Sequence, residues 1–175
     1  MQNCKFIGSD LAGLLLEKNN VNTCDFSSSN VSNSYIRQSY LENNVLRNCV
    51  LNETRFTESY LSDCDFTSAD FTGVILQLGG FEKNILANAV WSHTVFNEMY
   101  VANVVFEGAI TDCYFENCAF KKVIFQNAVL TNTFFKNKSL KHIRFIDCHA
   151  DRMTYEFLKN GKADLSGITL LSEVM

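Results

Sequence analysis

Cysteine is the residue type in this chain that offers the widest chemistry, because a thiolate can attack a substrate, form a disulfide or bind a metal ion. The 175 residues include seven cysteines and three histidines. Whether they are reactive or structural depends on the elements that carry them. The cysteines are Cys4, Cys24, Cys49, Cys64, Cys113, Cys118 and Cys148, and the histidines are His93, His142 and His149.

Those elements are indicated by an apolar side chain at every fifth position. An α-helix repeats its faces every 3.6 residues and a flat strand every two, so neither explains a period of five over this length. Short strands separated by regular corners do explain it. The apolar positions of the first register are Phe6, Leu11, Leu16, Val21, Phe26, Val31, Ile36, Leu41, Leu46, Leu51, Phe56, Leu61, Phe66, Phe71, Leu76, Phe81, Leu86, Trp91, Phe96, Val101 and Phe106.

The position two residues before each apolar residue is mostly small, and residues two apart share one face of a strand. Both positions should therefore point inward, while the other three point largely outward. All seven cysteines fall at the small inward position. We interpret them as buried core fillers, a common role of free cysteine, and expect no disulfide framework, metal or other cofactor. Cys4 and Cys24 should stack in adjacent coils, close enough for oxidation.

Four segments carry a more specific signature of a small residue, then Asp, then Leu or Phe. They are Cys24-Asp25-Phe26, Cys64-Asp65-Phe66, Ala69-Asp70-Phe71 and Ala163-Asp164-Leu165. This pattern resembles the pentapeptide-repeat family over nearly the whole chain. The resemblance implies an all-β fold, a right-handed four-sided β-helix solenoid with four pentapeptides per coil. We expect about seven to eight coils and a short C-terminal capping helix.

The five-residue register slips once, because Ile110 follows Phe106 after four residues. We expect a local distortion near residues 107–109 and not a domain boundary. Stacked coils should place one aromatic column in the core, and Lys138 at a small inward position predicts a local bulge or open coil. The expected column is Phe6, Phe26, Leu46, Phe66, Leu86, Phe106, Phe125 and Phe145.

Length predicts a single domain, 1–175, with a β-helix over 1–150, a short helix over 151–161 and closing repeats and a tail over 162–175. Proline is absent, as expected where nearly every backbone N–H joins a ladder. No apolar run is long enough to cross a membrane, and the repeat begins too early to leave room for a signal peptide. We therefore expect no membrane insertion and a cytoplasmic bacterial location, with secretion into a host cell if the chain is an effector.

The repeat fades after Ala150, where Asp151 is typical of a helix N-cap and Gly161 of a helix end. Between them, Met153 with Phe157 and Tyr155 with Leu158 are spaced to present apolar sides. Two interpretations remain open: a cap over the last coil, which an open solenoid end needs, and an element that joins two copies through a solenoid end.

The remaining residues of the sequence do not indicate a catalytic site. The histidines fall at outward positions, and no inward Ser or Cys has a histidine placed to activate it. The pair Gly79-Gly80 is better explained by relief at a tight corner than by phosphate binding. We therefore predict a protein that is not an enzyme.

Function should then lie on outward side chains. The residue before each apolar centre gives an apolar ladder of Ile75, Val95, Tyr114 and Phe134, about 15 Å long at one strand spacing per coil. Exposed strands favour such residues by propensity alone, but contiguous apolar surface is uncommon on a monomer and often marks an interface. Adjacent sides add Tyr40, Tyr60 and Tyr100, and Ile85, Val105 and Ile124.

Charge is distributed unevenly along the chain. Residues 40–116 carry eleven acidic and three basic side chains, a net of −8, whereas residues 117–175 carry five acidic and nine basic, a net of +4. Such charges form either a solvated surface or a docking site for an acidic partner. The candidate basic residues are Lys121, Lys122, Lys136 and Lys141, with Lys138 and Arg144 nearby.

Three functions follow. The first is a non-catalytic protein–protein interaction or scaffold module that binds an unidentified protein through the outward faces. The second is implied by the resemblance: some family members are acidic DNA mimics that bind gyrase and confer quinolone resistance, although this basic C-terminal third departs from them. The third is a bacterial type III secreted effector, or the substrate-binding β-helix of an effector ubiquitin ligase, which residues 162–170 resemble. Direct nucleic-acid binding is not expected of an acidic chain.

Overall fold

The computed structural model describes residues 1–172, which form a parallel β-solenoid of about eight coils with one short helix. Most strands span three residues because a corner interrupts every pentapeptide. The strands are β1 (Leu15–Glu17), β2 (Asn20–Asn22), β3 (Tyr35–Arg37), β4 (Tyr40–Glu42), β5 (Arg55–Thr57), β6 (Tyr60–Ser62), β7 (Ile75–Gln77), β8 (Gly80–Glu82), β9 (Trp91–Ser92), β10 (Val95–Asn97), β11 (Tyr100–Thr111), β12 (Tyr114–Glu116), β13 (Ala119–Thr131), β14 (Phe134–Lys136), β15 (Ile143–Ile146), β16 (Cys148–Ala150) and β17 (Ile168–Leu170), and the helix α1 is Arg152–Asn160.

The strands stack in parallel into two main sheets. A seven-stranded sheet runs β1-β3-β5-β7-β10-β12-β14, and a ten-stranded sheet runs β17-β16-β13-β11-β8-β6-β4-β2, with β15 paired to β13 and β9 to β11. Isolated bridges such as Lys5 with Asp25 and Asp10 with Asn30 continue the stacking on the remaining faces. Equivalent positions of successive coils therefore face the same side of the solenoid.

The corners explain the five-residue period. Residues at one position of each corner adopt a left-handed conformation, with φ between 47° at Asn132 and 61° at Lys162. Asn is frequent there because its side chain tolerates this region better than other non-glycine residues. An aspartate earlier in the corner adds a local hydrogen bond, since Asp25 Oδ1 accepts the Ser27 N–H at 2.9 Å and Asp65 Oδ1 accepts that of Thr67 at 3.0 Å. This accounts for the repeat's aspartates as turn residues.

The small inward residues hold successive coils together by a recurring hydrogen bond. Thr54 Oγ1 donates to the Val31 carbonyl at 2.6 Å, Ser59 Oγ to that of Ile36 at 3.2 Å, and Cys49 Sγ to that of Phe26 at 2.8 Å. A small side chain that donates a hydrogen bond at this position satisfies a buried carbonyl. Ser, Thr and Cys have both properties, which explains their frequency there.

The large inward residues form the predicted aromatic column. The rings of Phe106 and Phe125 stack at 4.9 Å between centroids, and those of Phe125 and Phe145 at 5.3 Å. Phe6 and Phe26 stack in the same way at 5.0 Å. Burial of these rings supplies much of the stabilising apolar area of a fold whose coils contact only their neighbours.

The expected slip is local. Phe106 pairs with Phe125, nineteen residues later, whereas Gly108 pairs with Ala128, twenty residues later. The register thus shifts between Phe106 and Gly108 while β11 continues unbroken to Thr111. The distortion lies where the sequence predicts it.

A second irregularity follows β14. Lys138 is exposed, and Asn137 takes the inward position instead. Asn137 Oδ1 accepts the Cys118 N–H at 2.6 Å, and its Nδ2 donates to the Phe115 carbonyl at 2.8 Å. The predicted bulge is confirmed, and its physical reason is that an amide satisfies two buried backbone groups that a lysine could not.

Helix α1 begins and ends at the predicted residues. The Asp151 carboxylate accepts the Thr154 N–H at 2.8 Å, which satisfies a free donor of the first turn. Thr154 and Leu158 are buried, and Tyr155 and Phe157 pack against the core from partly buried positions. Met153, expected on the packed side, is 37% exposed, because Thr154 occupies the small inward position and accepts the Thr133 N–H at 3.0 Å. Met153 therefore does not cover the last coil, and its role in joining two copies stays a prediction.

The glycine pair also differs from expectation. The corner residue is Leu78, with φ 58°, and Gly79 lies at an inward position. A Cβ on Gly79 would lie 1.9 Å from the Ser59 carbonyl oxygen, and a Cβ on Gly80 would lie 2.7 Å from Cδ1 of Tyr60. Close approach of the Ser59 backbone therefore requires a glycine at position 79, whereas a Cβ at position 80 would only have to displace the Tyr60 ring.

Candidate functional site

The potentially reactive or metal-binding side chains either lie in the core or are isolated on the surface. All seven cysteines are free thiols, and five are buried. Burial raises the pKa of Cys49, Cys64, Cys113 and Cys118 to about 11, so these thiols stay protonated near neutral pH. Within residues 1–172, no three His, Cys, Asp or Glu side chains converge as metal ligands. The cysteines and histidines therefore form no shared site among the described residues.

The apolar ladder lies on the outward face of the seven-stranded sheet. Val95 pairs with Ile75 on one side and with Tyr114 on the other, and Tyr114 pairs with Phe134. The Tyr114 and Phe134 rings stack at 4.5 Å with an interplanar angle of 11°. The structure therefore brings the four ladder residues together in consecutive coils.

The ladder is part of a longer outward column. Leu15, Tyr35 and Arg55 precede Ile75 in register, and the first two are 73% and 56% exposed. At the other end, the Phe134 ring meets the Phe157 ring of α1 edge-on at 5.3 Å. The helix thus covers the end of the sheet, and Phe157 adds an aromatic ring beside the ladder.

The basic candidates divide between two faces. Lys136 follows Phe134 on the seven-stranded sheet and faces the same way, since the two are separated by one inward residue. Lys121 and Lys122 belong to β13 of the other sheet, and Lys141 lies in the irregular segment before β15. All four side chains are exposed. Lys136 therefore lies apart from the other three lysines.

A second surface, which we call the tyrosine face, is the outward side of β2, β4, β6, β8 and the first residues of β11 and β13. Its central column is Asn20, Tyr40, Tyr60, Gly80, Tyr100 and Ala119 in register. The Tyr40 and Tyr60 rings stack at 5.3 Å with an angle of 9°.

The tyrosine face contains a groove beside Gly79. The groove measures about 670 Å³ and is lined by residues that include Tyr60, Leu78, Glu98, Tyr100 and Ala119. The tyrosines are apparent from the sequence, whereas the groove and its charged border were not predicted. Comparison of residues twenty apart would have found them, because Glu42 and Glu82 share one column and Glu58 and Glu98 another.

Within residues 1–172, no helix is long and apolar enough to cross a bilayer.

Two family models match parts of the chain. One, described as pentapeptide repeats (8 copies), matches residues 24–63 and 45–77. The other, described as the SV2A/B/C luminal domain, matches residues 78–155. No curated protein matches the chain.

Solved structures of other proteins are similar to this one to different degrees. A trypsin-treated variant of QnrB1, a plasmid-mediated fluoroquinolone resistance protein, has a TM-score of 0.51 at 14% identity, over 98% of this chain and 91% of that one. HetL, a pentapeptide repeat protein involved in heterocyst differentiation regulation from the cyanobacterium Nostoc sp. strain PCC 7120, has a TM-score of 0.37 at 15% identity, over 95% of this chain and 84% of that one. The first likeness supports the solenoid fold.

Proposed function

We propose that this chain, which matches the pentapeptide-repeat model over residues 24–63 and 45–77, is a non-catalytic protein-interaction module that binds a partner protein along its seven-stranded sheet. The observation that carries the proposal is the continuous outward column that ends in Ile75, Val95, Tyr114 and Phe134. The repeat requires particular side chains inside the solenoid and leaves these outward positions free. Their apolar character therefore supports a role in binding.

The chemistry of the ladder fits a protein surface. Aromatic side chains supply a large apolar area, and tyrosine adds a polar hydroxyl. Tyr114, which stacks on Phe134, is 37% exposed. Lys136 borders the ladder and would favour a partner with acidic residues at the rim of the contact. The cap residues Tyr155, Phe157 and Leu158 hold α1 against this end of the sheet.

The proposal is tested by charged substitutions on the ladder. In a double variant carrying Val95→Asp and Tyr114→Asp, proteins captured by the wild type from the source cell should no longer bind. The matched control carries Ile85→Asp and Val105→Asp, which replace outward apolar residues on another face that are 54% and 40% exposed. Both variants should keep the circular dichroism spectrum of the wild type. Equal capture by the two variants would contradict the ladder as the binding site.

A second candidate function is protection of a topoisomerase from quinolones. It is supported by the shared solenoid fold of QnrB1 and by the net charge of −8 over residues 40–116. The basic residues beyond 116 oppose it, because a dimer joined at its C-terminal ends would have positive charge at the centre of a surface that must resemble DNA. Gyrase supercoiling with purified protein decides the matter, and the absence of both inhibition and quinolone protection at micromolar concentration would reject this candidate.

A third candidate is an effector or an effector's substrate-binding domain. It is supported by the closing segment over residues 162–170, which resembles the end of the β-helix domain of such effectors. The reading frame on either side of this chain tests it, because the effector hypothesis requires a secretion segment or a ligase domain there. A frame with neither would reject it.

A further inference from the structure

The charge of the tyrosine face changes sign along the solenoid axis. In one outward column, Ala102 pairs with Glu82 of the preceding coil and with Lys121 of the following coil. On the acidic side the face is bordered by Glu42, Glu58 and Glu82, and on the basic side by Lys121, Lys138 and Lys141, while Glu98 belongs to the coil of Tyr100. The coil of Tyr100 lies between the two halves.

Most of these charges have no ionic partner within the chain. Among residues 1–172, the ion pairs are Arg47 with Asp65, Lys83 with Asp63 and His93 with Asp112. Glu42 and Glu58 accept hydrogen bonds only from the uncharged amides of Asn22 and Gln38. The acidic and basic halves are thus available to each other only in a second molecule.

Two-fold symmetry matches the halves. A face-to-face pair with its axis along the strands of the Tyr100 coil runs antiparallel, and each column faces itself in reverse order. Glu82 of one copy then faces Lys121 of the other, and the same contact recurs on the opposite side of the axis. One coil further out, Lys138 and Lys141 face the coil of Tyr60, which carries Glu58.

The side chains at the centre allow close approach. In this arrangement Tyr100 meets its own counterpart at the axis, Ala102 meets Ala102, and Ala119 faces the position of Gly80. Glu98 also faces its own counterpart, a repulsion set against the Glu82–Lys121 and Glu58–Lys138 contacts, each of which occurs twice. The groove, which Ala119 lines, has the exposed ring of Tyr60 on its border. Gly80, Ala102 and Ala119 leave no bulky side chain between the sheets at these positions.

We propose that the tyrosine face binds a second copy of this chain, as an antiparallel side-by-side dimer in which the acidic half of each copy contacts the basic half of the other. The overlap covers about five coils, or about 24 Å at strand spacing. A contact of this length and one sheet face in width is at the low end of specific interfaces, so the dimer should be weak and should dissociate as salt is raised. It uses another face than the ladder and does not depend on the proposed function.

The proposal is tested by sedimentation equilibrium of the full chain at 10–500 µM. In 20 mM NaCl the wild type should form a dimer, and in 300 mM NaCl its dissociation constant should rise at least tenfold. Glu82→Lys and Lys121→Glu should each weaken the dimer at least tenfold, because each places like charges opposite one another twice. A matched control, Glu116→Lys on the seven-stranded sheet, should dimerise at least as well as the wild type.

A double variant that exchanges the two charges distinguishes loss of this contact from misfolding. The double variant with Glu82→Lys and Lys121→Glu should dimerise again, because the pairing is restored with reversed signs. A wild type that stays monomeric at 500 µM in low salt would overturn the proposal. A dimer that Glu82→Lys leaves intact, or one that the double variant fails to restore, would overturn it as well.

Discussion

Replacing Cys64 by Ser should remove a loss of stability at alkaline pH. The Cys64 side chain is fully buried, and its pKa is raised from 9.0 to about 11, chiefly by desolvation. The folded state therefore keeps the thiol proton at pH values where the unfolded chain releases it. Because the unfolded state then binds fewer protons, the free energy of unfolding falls as pH rises from 9 toward 11.

The size of the effect follows from the two pKa values. With 9.0 in the unfolded chain and about 11 in the folded one, linkage gives a loss of about 1.3 kcal/mol between pH 8 and pH 10 from this thiol alone. Serine should fit the site, since Ser59 at an equivalent position donates to the Ile36 carbonyl as Cys64 donates to that of Leu41. At pH 8 the substitution should therefore cost at most about 1 kcal/mol.

The measurement is urea unfolding of wild type and Cys64→Ser at pH 8, 9 and 10. Other groups titrate in this range, but the difference between the two proteins isolates Cys64. The variant should gain about 1.3 kcal/mol relative to the wild type from pH 8 to pH 10. Ser59→Cys is the reverse control and should introduce a new alkaline loss, because Ser59 is 1% exposed. Parallel stability curves for all three proteins would refute the assignment of Cys64 as a buried, protonated core filler.

Three further predictions concern local geometry. Leu78→Asn should raise the free energy of unfolding by about 1 kcal/mol, because Leu78 has φ 58° and asparagine tolerates that conformation better; Asn43→Leu should lower it by a similar amount, and opposite signs in urea melts would contradict the argument. Gly79→Ala should cost more than about 3 kcal/mol, since its Cβ would lie 1.9 Å from a backbone oxygen. The control Gly13→Ala has open space but φ 74°, so it should cost only about 1–2 kcal/mol, and equal losses would contradict the steric reason. Asp151→Ala should cost about 1 kcal/mol and expose α1 to faster hydrogen exchange, because the helix loses its N-cap; unchanged exchange would count against the cap.

The interior of the solenoid was predictable because one physical requirement recurs every five residues. Phe106 and Phe125 must fill the same column, and Cys64 must fit beside a carbonyl of the preceding coil, so residue type alone indicates their direction. The helix was predictable for a similar reason, since Asp151 supplies a local hydrogen bond that needs no distant partner.

The structure differs from the sequence predictions where contacts between coils override the local pattern. Lys138 stands at the expected inward position, but Asn137 replaces it because its amide can satisfy two backbone groups of the preceding coil. Thr154 displaces Met153 in the same way, through a bond to Thr133. The candidate surfaces were harder still, because an outward residue such as Tyr100 is not constrained by the repeat and its neighbours are known only once the coils are stacked.

The shift between Phe106 and Gly108 has a consequence for engineering. In a flat sheet, loss of one residue turns every later side chain to the opposite face. Here the register shift within β11 absorbs the loss, and the Phe106 and Phe125 rings still stack at 4.9 Å. The solenoid should therefore accept a one-residue change of length at this point without turning the later side chains to the opposite face.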